Sequence, residues 1–246
     1  MSEITSVHSA STLATIYQHR SIRRFTPEPL NDDQRQAIFE AGRAASSSSF
    51  MQVVHIIRIT DQALRQALCE VAAHQQYVVD APEFWVFCLD YAKHKLAYPE
   101  AQLGWTESVI AGAVDAGIMA QNCLLAAESL GLGGVYIGSL RNNIARTATL
   151  LNLPDNTAPL FGLCLGHPAQ QPLQRPRLPL HALVSENGYH ALDSETLAAY
   201  DTKLANYYWM RSGLKLNWGQ TIINNFNHPV RPDVLPFLRQ QGLAKY

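Results

Sequence analysis

The sequence predicts a mixed fold of helices and strands built around one long buried helix, and three observations carry that expectation. Residues 106–130 are apolar nearly all round, with Glu107, Asp115 and Glu128 among their few polar groups. A helix of ~25 residues spans roughly 37 Å at 1.5 Å per residue, comparable to the width of a whole domain, so it should be buried on more than one side. Two stretches, Glu83–Asp90 and Ala158–Gly166, read as strands, the first apolar enough to be covered on both faces. Between such strands run helical patterns with their own start signals, of which Asn31 followed three residues later by Gln34 is the clearest.

Composition narrows the function classes. The 246 residues suffice for one large domain or two small ones. A formal net charge of -1 and a pI near 6.7 supply no overall field for nucleic acid or an anionic membrane, so anion recognition has to be local. No basic and apolar leader opens the chain at Met1-Ser2-Glu3-Ile4. Asp115, Gln121 and Asn122 near the middle of the long helix make a membrane span expensive. The expectation is a soluble cytoplasmic protein whose central helix is shared with a second subunit. Cys69, Cys88, Cys123 and Cys164 are widely spaced, without a CxxC pair or a metal-ligand spacing to histidine. They read as buried free thiols, and no metal site is expected.

Taken in order, Ser11 or Thr12 caps a short helix, Leu13–Gln18, that delivers His19-Arg20-Ser21-Ile22-Arg23-Arg24-Phe25. In an extended segment alternate residues share a side, so the run reads either as a solvated basic patch or as His19, Ser21 and Arg23 converging on one anionic ligand while Ile22 anchors the strip. Guanidinium forks and a hydroxyl suit phosphate and carbonyl oxygens. The helix after Asn31 is expected to bury Ala37, Ile38, Ala41, Ala44 and Ala45. Next stand four serines and an aromatic, Ser46–Phe50, which read either as a flexible linker or as a rigid hydroxyl-bearing loop. Val53–Thr60 is a strand, and Asp61 caps a helix, Gln62–Ala73, with Leu64, Leu68 and Val71 inward. Tyr91–Gly104 reads as polar and irregular.

Gly131 ends the long helix as its C-cap, and the following glycines open a strand rather than a dinucleotide loop, because the order is helix then strand. Gly138, at the end of that strand, lets backbone approach a flat ligand closely. Asn143–Leu151 is a short helix, and Gln174–Pro179 an extended, proline-stiffened segment presenting Arg175 and Arg177. From Asp193 a helix carries Leu197, Tyr200, Leu204 and Tyr208 as a core stripe. A polar loop, Ser212–Asn217, follows, and Arg231-Pro232-Asp233 opens the last helix.

HRSIRRF at 19–25, SSSSF at 46–50, GVYIGSLRNN at 134–143, FGLCLG at 161–166 and RPRLP at 175–179 stand in an order and spacing that resemble the flavin-dependent nitroreductases. The likeness is greatest to the oxygen-insensitive NADPH nitroreductase and NADPH-flavin oxidoreductase group. It implies an α+β fold, with an antiparallel-rich mixed sheet flanked by helices and a long central helix at a homodimer interface. On that reading residues 1–246 form a single FMN-binding domain whose C-terminal segment, about 193–246, reaches across the dimer.

Carried over position by position, the resemblance assigns His19, Arg20 and Ser21, with Arg175 and Arg177, to the FMN phosphate and ribityl chain. Arg23 matches the cation beside the flavin pyrimidine edge, and Gln75 the side chain that reads that edge. Tyr136, Ile137, Gly138 and Ser139 match the strand end that approaches the flavin N5. Ser47 lines the cofactor from the other subunit, with Ser49 and Phe50 on the substrate side. Arg141 and Arg231 match cations at the pocket mouth, and Arg211 with Lys215 the site for the NADPH 2′-phosphate.

The pattern is broken in three places. Arg175 stands where a lysine is usual and Ser139 where a second glycine is usual, and the loop after Arg211 is shorter and lacks an arginine pair. What the resemblance implies is an FMN enzyme that takes hydride from NADPH or NADH and, in a second half-reaction, reduces nitroaromatics, quinones or free flavins by two electrons. A storage or sensing protein that holds FMN without turnover is the alternative, since the same anchors would serve it.

Overall fold

The computed structural model describes residues 11–246, so the leaderless reading of the first residues lies outside the described part. The chain divides into two compact units. One runs to Gln171 and takes in Arg231–Tyr246; the other is Pro172–Val230.

In the first unit the helices are α1 (Thr12–Tyr17), α2 (Asp32–Arg43), α3 (Gln62–Val71), α4 (Tyr77–Asp80), α5 (Ala92–Ala97), α6 (Thr106–Ser129), α7 (Ile144–Leu150) and α10 (Val234–Gln240). Four strands, β1 (Val54–Arg58), β2 (Glu83–Asp90), β3 (Gly133–Ile137) and β4 (Thr157–Gly166), pair antiparallel in the order β1-β2-β4-β3. β2 is buried over nearly its whole length, as its unbroken apolar run requires. Pro159 lies in β4 beyond the stretch that pairs with β3, so it has a strand neighbour only in β2. A bulge follows it: Phe87 faces Phe161 and Cys88 faces Pro159, leaving Leu160 without an opposite number.

The predicted caps form. Asn31 accepts from Gln34 N at 2.8 Å while the Gln34 side chain accepts from Asn31 N at 3.1 Å, closing a capping box on α2. Asp61 caps α3, and Gly131 takes the left-handed φ of 78° that ends α6. α6 has no side-chain cap of its own; the Thr106 N–H donates instead to the Tyr246 carbonyl at 2.9 Å, tying the chain's last residues to its longest helix.

That helix is long and apolar enough to cross a membrane by length and composition alone. Its polar residues nevertheless bond within the protein. The Asp115 carboxylate accepts from Ser48 N at 3.0 Å, Asn122 donates to the Ala41 carbonyl at 3.2 Å, and Gln121 accepts from the Tyr136 hydroxyl at 3.3 Å. One face packs on α2 and the sheet through Ala116, Ala120, Cys123, Leu124 and Ala127, all buried. The other face stays open.

Several expectations change. α2 buries Ile38 and Gly42, while Ala37 and Ala44 are exposed. The reason is packing on a specific neighbour: Phe39 stacks on Trp85 at 4.1 Å, and Gly42 meets the Cys123 sulfur so closely that a side chain there would collide. Tyr91–Gly104 contains α5 and is not wholly irregular. All four cysteines are buried and free, and burial pushes the Cys88 and Cys123 thiols up to about 12.

Buried charges were not anticipated. Glu83 opens β2 with both oxygens engaged, taking Arg58 Nε at 2.7 Å, Arg35 Nε at 2.9 Å and Trp85 Nε1 at 2.8 Å. Arg65, on α3, is buried and donates to the carbonyls of Ile59, Val79, Ala81 and Pro82. It thereby fixes the stretch that follows Gln75 and Tyr77.

The second unit holds α8 (Ser194–Ser212) and α9 (Trp218–Phe226). Asp193 caps α8, and Gly213 ends it at φ 65°. Leu204 and Tyr208 are buried as the stripe predicts, together with Tyr207, whereas Leu197 at its end is exposed. α9 is unforeseen, although Asn217 accepting from Gln220 N at 2.7 Å is a cap that the sequence carries.

Candidate active site

His19–Phe25 is laid along the edge of the sheet beside β3. Ser21 bridges Gly134 in parallel, the Ile22 N–H donates to the Gly134 carbonyl at 2.9 Å, and Ile22 is buried against Gly133. A Cβ on Gly133 would strike that Ile22 side chain, so the glycine is what lets the strip lie close. With Ile22 turned inward, the strip's polar residues fall on their own partners. His19 Nδ1 meets Glu128 Oε1 at 2.6 Å, Arg20 donates to the Gln18 carbonyl at 2.7 Å, and Arg23 lies near enough to Tyr77 for its charge to act on that hydroxyl. Burial pushes the Tyr77 hydroxyl up, partly offset by the Arg23 charge.

Beyond the strip lies the turn at the end of β3. α3 ends through two consecutive left-handed residues, Ala73 at φ 57° and His74 at φ 55°, a conformation that costs non-glycine residues about 1–2 kcal/mol each. That turn delivers Gln75, whose side-chain oxygen accepts from the buried Ser139 hydroxyl at 3.2 Å. Ser139 follows Gly138 directly. The Arg141 guanidinium donates to the carbonyl of the bulged Leu160, so the bulge in β4 also places Arg141. Burial pushes the Arg141 pKa down, and the neighbouring Arg231 charge pushes it further. Arg231, at φ 50°, donates to Asn142 at 3.1 Å. Two guanidinium groups that raise each other's energy favour an anion beside them.

The serine loop is the rigid alternative, not a linker. The Ser48 N–H is held by the Asp115 carboxylate, the Gln52 N–H donates to Ser47 Oγ at 3.3 Å, and Ser49, Phe50 and Gln52 all take positive φ. Ser48 and Ser49 line a cavity of about 590 Å³, while Ser46, Ser47 and Phe50 line another of about 320 Å³. Phe50 is 78% exposed.

The structure therefore brings together His19, Ser21, Arg23, Gln75, Tyr136, Ile137, Gly138, Ser139, Arg141 and Arg231 around β3. It does not bring the serine loop to them. Asp115 holds that loop and Glu128 holds His19, and at 1.5 Å per residue these points lie about 20 Å apart along α6. In the second unit the Arg175 guanidinium lies over the rings of Tyr207 and Tyr208 at 5.9 and 5.7 Å. Arg177, Arg211 and Lys215 are exposed there.

Sequence reasoning missed Glu128, Tyr77, Asp115 and Asn142 as partners of these groups. Helical spacing marks where Glu128 and Asp115 sit on α6, but only the packed structure says what each faces.

The donor set fits a phosphorylated flavin on this structure's own terms. Arg20 Nε is buried with no partner among the described residues, and Gly138 leaves open backbone at the strand end, where the nearest atom to an added Cβ would be the Arg141 guanidinium at 3.4 Å. Cationic and hydroxyl donors beside open backbone suit a flat ligand that carries a phosphate.

The chain belongs to the nitroreductase family, whose model matches residues 16–167; residues 175–246 match the family's C-terminal domain. It is 52% identical over 237 residues to the NADPH-flavin oxidoreductase of Vibrio harveyi, covering 96% of this chain and 99% of that protein. It is 50% identical over 235 residues to the oxygen-insensitive NADPH nitroreductase of Salmonella typhimurium, covering 95% and 98%. Among solved structures, the Vibrio harveyi NADPH:FMN oxidoreductase complexed with NAD+ superposes with a TM-score of 0.92 at 51% identity, covering 96% of this chain and 100% of that one.

Proposed function

We propose that this protein is an NADPH-dependent FMN oxidoreductase that reduces nitroaromatics, quinones or free flavins by two electrons, working as a cytoplasmic homodimer. The observation that carries the reading is the end-to-end identity to the two named oxidoreductases, joined to the cation and hydroxyl set around β3. Both relatives are enzymes, which leaves the storage reading without support.

His19, Arg20 and Ser21 are assigned to the FMN phosphate and ribityl chain, with Arg175 and Arg177 added on resemblance alone. Guanidinium and hydroxyl donors match a phosphate's acceptor oxygens. When bound, FMN would supply the hydride chemistry that links NADPH to the acceptor. Arg23, beside Tyr77, places positive charge where reduction builds negative charge. Gln75 reads the pyrimidine edge, and the Ser139 hydroxyl holds its amide so that the NH2 end is free to donate. Gly138 keeps the flat face accessible. Arg141 and Arg231 attract anionic groups of nucleotide or acceptor at the mouth.

Within one chain the serine loop is about 20 Å along α6 from His19. A second copy is proposed to supply Ser47, Ser49 and Phe50, with α6 against α6. The purified protein is expected to be yellow, to bleach under nitrogen on adding NADPH, and to recover its visible absorbance with a quinone. Colourless protein that takes up no FMN overturns the assignment.

Nucleotide choice has its own test. Arg211 lies in the last turn of α8, followed in sequence by the exposed Lys215. A solvent-screened pair of this kind is weak, so Arg211→Ala should raise the KM for NADPH only about two- to fivefold. The KM for NADH should stay unchanged, and the difference should shrink with added salt. Equal weakening of both nucleotides removes Arg211 from phosphate reading.

A further inference from the structure

The contact between His19 and Glu128 points to a positioning residue outside the set assigned so far. Glu128 Oε1 lies 2.6 Å from His19 Nδ1, and the two side chains are 11% and 27% exposed. Glu128 Oε2 is buried without a partner among the described residues. Glu128 also stands in the last turn of α6, the negative end of that helix, which is an unfavourable place for a carboxylate. A buried acid in such a position is costly to keep unless its one partner needs it.

Anchoring the strip does not supply that need. The strip is already held by the buried Ile22 and by its backbone bond to Gly134. What the carboxylate does control is the imidazole. A carboxylate only accepts, so the proton of this contact sits on His19 Nδ1, and the Nε2 edge of the ring is turned away from α6.

We infer that Glu128 is a positioning residue for phosphate recognition, acting through His19: it fixes the ring's tautomer and orientation so that the Nε2 edge faces the flavin phosphate. The inference rests on the assignment of His19 to that phosphate. Glu128 itself need not touch the ligand. Its charge would even repel a phosphate, so its whole benefit passes through the imidazole.

The test uses full-length protein stripped of flavin and titrated with FMN and, separately, with riboflavin, which lacks the phosphate. Binding is read by quenching of flavin fluorescence, and thermal unfolding of the flavin-free proteins checks their folding. Glu128→Ala should weaken FMN about tenfold, the size of one lost charge-assisted bond, and leave riboflavin unchanged. Glu128→Gln, whose side-chain oxygen can still accept from Nδ1, should restore most of the FMN affinity. In a His19→Ala background, Glu128→Ala should no longer weaken FMN.

Equal loss of FMN and riboflavin affinity overturns the inference, as does a Glu128→Ala loss that persists without His19. Where His19→Ala weakens FMN and Glu128→Ala does not, the positioning role fails while the phosphate assignment stands. Where His19→Ala leaves FMN affinity intact, the assignment fails and the positioning role falls with it.

Discussion

Val114→Asp is expected to turn the proposed dimer into a folded monomer that no longer retains FMN. Val114 lies between Ile110 and Ile118 on α6, one turn from each, and the three are 54%, 56% and 41% exposed in the isolated chain. Gly117, on the same face, would meet nothing if given a Cβ, so another helix can approach closely there. A run of branched apolar side chains beside a glycine is a surface that a lone chain leaves unfavourably wet. Burying an unpaired carboxylate at such a contact costs about 3 kcal/mol or more, which raises a dimer's dissociation constant at least a hundredfold.

Because Val114 makes little contact within its own chain, thermal stability of the monomer should change little. Sedimentation velocity at micromolar concentration reads the association, and flavin absorbance reads the cofactor. A Val114→Asp protein that remains a tight dimer shows that this face is not the interface, and the proposal that a second copy delivers the serine loop falls with it.

Glu83→Ala is expected to destabilise the fold by about 3 kcal/mol, the lower end of the range for breaking a buried ion pair, since Arg58 and Arg35 keep some access to water. The loss should appear as a lower denaturant midpoint with an unchanged slope. Burial pushes the Glu83 carboxyl up, but bonds from Arg58, Trp85 and Arg35 outweigh it, so its folded pKa lies below the ordinary value. The sign follows: this contribution is fully present above the usual carboxylate range and is lost as pH falls through the depressed folded value. Wild-type stability should therefore drop in acid more steeply than that of Glu83→Gln. Parallel pH profiles for the two proteins would show that the cluster contributes nothing through ionisation.

Much of this protein follows from local pattern alone. The capping box at Asn31 and Gln34, the cap at Asp61, the end of α6 at Gly131 and the doubly buried β2 depend on residues near one another in sequence. Those interactions act within a turn or along a strand, so spacing is enough to find them. The inward turn of Ile22, with His19, Ser21 and Arg23 on the opposite side, is likewise what strand alternation leads one to expect.

Tertiary structure decided what distant residues do to one another. Ala37 and Ala44 look as buriable as Ile38, yet α2 turns Gly42 inward because the Cys123 sulfur leaves no room for a side chain there. The bulge that leaves Leu160 unpaired in β4 leaves its carbonyl to Arg141, and no local rule joins those two events. Glu128 reads in sequence as one polar point on an apolar helix. Only the packing of α6 beside the 19–25 strip sets its carboxylate on His19, because helical periodicity gives the face a residue occupies and not the group that comes to meet it.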